Sequence, residues 1–330
     1  MADIVGIGAL NEDVIYTIKP GIENELMMLI EKESRMHVEQ FENYLPFLNF
    51  ELKRAGGSAA NTITDLSARG WNCSFIGELG NDETGKFMED SLKDHKIELI
   101  ITKIDGQTGS CGIILHEDGK YSVLFKEGVS DDIKINDKLI KTARSCKLFH
   151  SSPFASFKSP DSLKTQVALA KEAKKAGAIV SVSPGRLYAE VIAQDKNSEN
   201  GKLITELLSS SDIIFINKNE KYLLSGYKNR EKASKKILDE FRPKVICITL
   251  GKQGCYVKTK KEGFLLPAEN KKIVSTLGAG DAFAAGFLNA YLKGKNVHVC
   301  AEEGNKFANL RVENIDPKKY LLQVKLQQFA

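Results

Sequence analysis

One carboxylate stands at the head of an otherwise apolar segment. Ser275 to Leu292 reads STLGAGDAFAAGFLNAYL, and Asp281 follows directly on Gly278, Ala279 and Gly280. Small residues allow tight turning, so successive N–H groups can converge at a helix N-terminus, where the macrodipole is positive. The pattern describes an anion site with an acid beside it. An aspartate that does no more than cap the helix would also stand there, contributing about 1 kcal/mol.

Two further glycine-rich stretches could approach a ligand. RAGGSAANTITDLSARG (54–70) sets Gly56 and Gly57 before an amphipathic helix that carries Asn61, although glycines that merely end a loop read the same way. GIGALN (6–11) holds the first two glycines of a dinucleotide fingerprint, but Asn11 occupies the place of the third, and the following VIYTI favours extended chain over a helix. GxxxxGK[ST] occurs nowhere, which excludes a P-loop as a sequence pattern.

These residues need a scaffold, and the composition is that of a globular protein: 330 residues, 42% hydrophobic and 27% charged. The net charge of +4 is dispersed, with no arginine-rich tract, so nucleic acid is not an expected partner. No run of about 18 apolar residues occurs, so no membrane is expected, and MADIVGIGAL lacks the basic start of a signal peptide. Six cysteines without CxxC spacing, several in apolar settings such as VICITL, read as buried thiols of a cytoplasmic protein.

Strand and helix patterns alternate through the second half. Strands are expected at 147–152, 178–184, 212–217 and 244–250, with helices at 161–176, 200–209 and 231–240. Such alternation implies an α/β fold, a mostly parallel sheet flanked by helices on both faces. Ala282 to Leu292 is apolar on several sides and predicts a core helix. Two regions break the rhythm. Residues 13–55 open with VIYTI and continue through a Glu-rich helical segment. Residues 97–127 read as a β-meander (IELIITKI, SCGIILHE, KYSVLFKE) with turns at Asp105-Gly106 and Asp118-Gly119. Together, 13–55 and 97–127 are expected to form a small β-rich lid, on a body made of 1–12, 56–96 and 128–330.

Taken in order, GGSAAN, NKNE (217–220), TLGKQG (249–254) and TLGAGD along a series of βα units resemble the ribokinase-like, or PfkB, family of sugar and nucleoside kinases. The resemblance spans nearly the whole chain. It implies an ATP-dependent kinase that uses Mg²⁺ and transfers the γ-phosphoryl group to a hydroxyl of a sugar, related polyol or nucleoside. Asp281 would be the general base and the Gly278, Ala279 and Gly280 amides the anion hole. Asn11 and Asp13, in the loop after the first strand, would hold acceptor hydroxyls, with Gly56, Gly57 and Asn61 completing that wall. Asn217, Glu220, Thr249, Gly251, Gly254 and Asn305 would line the ATP site, with Glu220 acting on Mg²⁺ through water.

Departures from the family pattern matter as well. Ser275 stands where the family writes the first aspartate of DTxGAGD, an acid that helps to bind a monovalent cation, which puts potassium dependence in doubt. SVSPGR keeps only Arg186 of an Asp-x-Asn-x-Arg stretch, so Arg186 reaches a phosphate or else forms a structural ion pair. About forty residues separate Asp13 from Gly56, nearer to adenosine kinases than to ribokinases. The lid could cover a nucleoside base, or its free strand edges could make a homodimer contact. Outside this class stand an NAD-dependent oxidoreductase, resting on GIGALN, and an inactive binding protein of the same fold, motivated by the serines at 275, 181 and 183.

Overall fold

Runs such as IIFIN and VICIT carry apolar side chains at consecutive positions, so both faces of those strands must be covered. The computed structural model describes residues 2–21, 43–116, 121–126, 128–129, 133–154, 160–269 and 271–326. In chain order the strands are β1 (Ile4–Ile7), β2 (Asn11–Ile18), β3 (Leu48–Gly56), β4 (Cys73–Gly80), β5 (Glu98–Ile104), β6 (Gly109–Leu115), β7 (Tyr121–Lys126), β8 (Leu148–Ser151), β9 (Ile179–Val182), β10 (Ile213–Asn217), β11 (Val245–Thr249), β12 (Cys255–Thr259) and β13 (Gly263–Leu266). The helices are α1 (Ser58–Ala68), α2 (Glu83–Asp94), α3 (Asp137–Ser145), α4 (Asp161–Lys175), α5 (Gly185–Asp195), α6 (Glu199–Ser210), α7 (Lys218–Ser225), α8 (Arg230–Phe241), α9 (Ala279–Leu292), α10 (Val297–Glu313) and α11 (Pro317–Leu326).

Among the described residues, nine strands form one sheet in the order β13-β12-β11-β10-β9-β8-β1-β4-β5. The seven from β11 to β5 pair in parallel, while β12 and β13 are antiparallel additions at one edge. Alternation along each strand divides the core in two. Ile214, Ile216, Ile246 and Ile248 face the layer that holds α4, α5, α6 and α8. Ile213, Phe215, Val245 and Cys247 face α1, α9, α10 and α11. α9 is buried from Ala282 to Ala290, as a helix apolar on several sides must be. The strand order reverses at β1, which places the neighbouring carboxyl ends at a switch point where α/β proteins bind ligands.

A second sheet, ordered β3-β2-β6-β7, forms the lid. β2 is antiparallel to β3 and parallel to β6, and β6 and β7 form an antiparallel pair. Its cleft-facing apolar side chains, Ile15, Ile113 and Leu115, meet Leu277 and Ile315 of the body.

Two expectations need correction. β5, within the 97–127 expected to form the lid, is instead the edge strand of the large sheet, parallel to β4, because Leu99 and Ile101 pack into the body core. The Asp105-Gly106 turn consequently carries the chain from one sheet to the other and closes no hairpin. Asn11 and Asp13 lie within β2 rather than in a loop, so the lid sheet begins at residue 11. Most of the Glu-rich segment, and the Asp118-Gly119 turn, lie outside the described residues. All six cysteines are free thiols. No helix among the described residues is long and apolar enough to cross a membrane.

Candidate active site

The approach of α9 to α1 builds the centre of the site. Gly278 is the N-cap of α9 in the left-handed region, φ 75°, where a side chain would be strained. Asp281 therefore falls in the first turn, among N–H groups that have no helical acceptor. Among the described residues the amides of Gly278, Gly280 and Asp281 have no protein acceptor, while that of Ala279 donates to Thr276 O at 3.2 Å. The predicted anion hole is thus open at Gly278 and Gly280 and already engaged at Ala279. Ser58 Oγ donates to Asp281 Oδ1 at 2.6 Å, Asn61 Nδ2 donates to Oδ2 at 2.9 Å, and Thr62 Oγ1 donates to the Asp281 carbonyl at 3.3 Å. Burial pushes the Asp281 carboxyl up to about 6, against the lowering by the Ser58 and Asn61 bonds. A carboxylate held by two donors, with a pKa near neutrality, can still accept a proton on its remaining lone pairs.

The lid root supplies the opposite wall. Asp13 sits third in β2, opposite Arg54 of β3, and Arg54 Nε and Nη2 both donate to Asp13 Oδ2, at 3.1 and 3.0 Å. Both side chains are buried. Burial raises the Asp13 pKa and the Arg54 charge opposes that rise. Gly56 is required beside them because a Cβ there would strike the Asp13 carboxylate. Gly57, at φ 107°, lets the chain turn into α1 against Ala9 O, where no side chain fits. Asn11 is paired between Gly56 and Gly109, and its buried Oδ1 has no partner among the described residues. An unsatisfied buried acceptor is costly and is expected where a ligand supplies the missing donor.

Residues expected on the nucleotide side cluster at the carboxyl ends of β10 and β11, where Asn217 and Thr249 are register partners. Asn217 and Glu220 form a capping box on α7: Asn217 Oδ1 accepts from Asn219 and Glu220 N–H, and Glu220 accepts from Asn217 N at 2.8 Å and Nδ2 at 2.6 Å. Burial pushes Glu220 up to about 7, the Asn217 bond opposing and the Asp281 charge adding to it. Gly251 (φ 61°) and Gly254 (φ 88°) turn the chain between β11 and β12. Asn305 on α10 donates to Pro267 O at 3.1 Å. Arg186 is the second residue of α5, a helix that packs against α7. Its Nε pairs with Glu190 at 2.6 Å on the surface of α5, with the side chain 69% exposed. Among the described residues, no group of three or more His, Cys, Asp or Glu is gathered to hold a metal ion.

Several residues here were missed from sequence. Ser58 lies three positions before Asn61, the helical spacing that puts both on one face, so that signal was present. Arg54 carried none, being one cation in an alternating strand. Tyr121, on β7, is 37% exposed. It is the cross-strand partner of Leu115, one of the side chains that meet the body, and its phenol is pushed up to about 12, by desolvation first and then by the charges of Asp281, Asp13 and Glu220. GIGALN leads from β1 into strand β2, so the helix that a dinucleotide turn requires does not follow it.

Known proteins share this fold. The family model for pfkB family carbohydrate kinases matches residues 38–319. An uncharacterised sugar kinase of Archaeoglobus fulgidus is 30% identical over 260 residues, covering 78% of this chain and 97% of that protein. An ATP-dependent ribose-1-phosphate kinase of Halopiger xanaduensis is 28% identical over 255 residues, 76% of this chain and 77% of that one. The crystal structure of adenosine kinase from Sinorhizobium meliloti superposes with a TM-score of 0.83 at 20% identity, over 100% of this chain and 99% of the other, and so shares the fold. The chain belongs to the pfkB family of carbohydrate kinases, ATP-dependent phosphotransferases with an alcohol group as acceptor.

Proposed function

We propose that this kinase transfers the γ-phosphoryl group of ATP to a hydroxyl of a sugar or related polyol, with Asp281 as general base. The observation that carries the reading is the Asp281 carboxyl, with its pKa at about 6, fixed by Ser58 and Asn61 beside the open amides of Gly278 and Gly280. In the ionised state it takes the acceptor proton as the new P–O bond forms. The first-turn amides of α9 then accept the charge on the transferred group. Asp13, held by Arg54, together with Asn11 and Asn61, orients the acceptor hydroxyls under the lid. Gly56 and Gly57 give that wall its close approach.

Asn217, Glu220, Thr249, Gly251, Gly254 and Asn305 border the nucleotide, and Arg186, paired with Glu190 on α5, either reaches a phosphate or serves as a structural ion pair. Mg²⁺ neutralises phosphate charge when bound. Glu220 suits a water-mediated contact with it, because both carboxylate oxygens already accept from Asn217 and each keeps a further lone pair. Ser275 gives a monovalent cation no charged ligand.

A nucleoside acceptor is the second reading, favoured by Tyr121, whose ring, beside Leu115 on the lid, could stack on a base. An ATP-consumption screen with Mg²⁺ over pentoses, hexoses, sugar acids and nucleosides tests both. Turnover with a nucleoside alone would replace the sugar reading, and turnover with none would defeat the proposal.

A further inference from the structure

The C-terminal end of α10 clamps the turn that precedes α9. Val312 O accepts from Val274 N at 2.7 Å and from Ser275 N at 3.2 Å. Arg311 Nε donates to Leu277 O at 3.2 Å. Ser275 Oγ accepts from Leu277 N at 3.1 Å, so both polar groups of the Leu277 backbone are held by side chains. Arg311 is 7% exposed, and its guanidinium lies 5.1 Å from the centre of the Tyr320 ring. Tyr320 is fixed in turn by donating to Asp65 Oδ2 at 2.6 Å. A Cβ placed on Gly278 would lie 3.2 Å from Arg311 Nε and 3.6 Å from Nη2, so the cation is packed directly against the N-cap of α9.

Among the described residues no carboxylate forms an ion pair with Arg311. Burying a charge without a counter-ion is costly, and such a residue persists where an opposite charge arrives from elsewhere. Gly278, against which Arg311 packs, and the following Gly280 and Asp281 have amides without a protein acceptor among the described residues, and these also seek an anion. The neutral Ser275, rather than an acid, leaves the arginine charge uncancelled.

We infer that Arg311 is the fixed cation of the phosphoryl-binding turn. It holds the turn in shape through Leu277 and adds a full positive charge to the anion site, without touching the reacting atoms. The inference rests on the kinase reading of this site and names a positioning residue within it.

The test is calorimetric binding of orthovanadate, together with steady-state kinetics, for the wild type and Arg311→Gln. Glutamine keeps a donor for Leu277 O and loses only the charge. A unit charge several ångströms away at an effective dielectric of about 20 is worth roughly tenfold to fiftyfold in affinity. The expected result is an orthovanadate Kd raised at least about tenfold and kcat lowered comparably, with acceptor KM and ADP affinity unchanged. Arg311→Lys should recover most of both. If the glutamine variant does not fold, Arg311→Lys and Arg311→Met carry the comparison, with the lysine variant expected to bind orthovanadate at least about tenfold more tightly than the methionine variant.

Orthovanadate affinity within twofold of wild type in Arg311→Gln overturns the inference, as does failure of the wild type to bind orthovanadate. If the wild type phosphorylates no acceptor while the charge-dependent loss of orthovanadate binding remains, the kinase reading fails and the fixed cation stands.

Discussion

Replacing Arg54 by methionine isolates the buried ion pair at the root of the lid. Arg54 and Asp13 are 5% and 6% exposed, and both guanidinium bonds go to one carboxylate oxygen, at 3.1 and 3.0 Å. Methionine fills most of the stem volume, so the loss is electrostatic rather than a cavity. Removing one partner of a buried pair costs about 3–5 kcal/mol because the other charge is stranded. The folded Asp13 pKa already lies above its unfolded value of 3.8, and without Arg54 it rises further. Stability associated with its protonated form is full below pH 3.8 and is lost as pH rises through the folded pKa. The deficit of Arg54→Met should therefore be largest at pH 8 and shrink towards pH 4. Adding Asp13→Asn removes the stranded charge and should restore most of the stability at pH 8, while the acceptor KM remains at least about tenfold above wild type. Urea unfolding of the three proteins across that pH range measures this. A single variant within 1 kcal/mol of wild type at pH 8, or a double variant no more stable than the single, would refute the reasoning.

The Asp281 base should show as an acid limb: kcat/KM is constant above neutrality and falls with unit slope below a pKa of about 6. Asp281→Asn should lower turnover roughly 10²-fold or more. The same change should stabilise the ligand-free protein at pH 8 by about 1–2 kcal/mol, a figure reduced for water reaching the cleft, because the wild-type carboxyl loses folding stability as pH rises from 3.8 through about 6. Exchanging K⁺ for Na⁺ or tetramethylammonium should change turnover little, and a large saturable K⁺ activation would show that Ser275 does not disable that site. Acceptor, more than ATP, should slow hydrogen exchange in residues 108–116 and 121–126, and Asp13→Ala should remove this protection. Full protection by ATP alone would mean that the lid does not close on the acceptor.

The α/β body was legible because strands buried on both faces are nearly continuous apolar runs. DIIFIN and KVICITL were expected at 212–217 and 244–250, and the strands lie at Ile213–Asn217 and Val245–Thr249. The helix following GAGD was legible for the same reason, with small and apolar residues on several faces. The sequence could not tell which sheet an isolated strand joins. IELIITKI has the same local pattern whether it pairs with the lid or with β4, and the burial of Leu99 and Ile101 decides it. α5 and α7 give no clear sequence signal because each starts within a few residues of a strand end, where a short window mixes two periods. Of the site, Asp281 and Asn61 were readable from neighbouring motifs. Arg54 and Arg311 were not, since their partners lie 41 and 34 residues away.

The central claim is tested most directly by quenched single-turnover transfer from Mg-ATP to the acceptor that the screen identifies, in wild type and Asp281→Asn. ADP and phosphorylated acceptor should form in equal amounts with the wild type. In the variant the transfer step should slow by about 10²-fold or more while ATP affinity is unchanged. Transfer by Asp281→Asn at the wild-type rate, or ADP formed by the wild type without phosphorylated acceptor, would contradict the account.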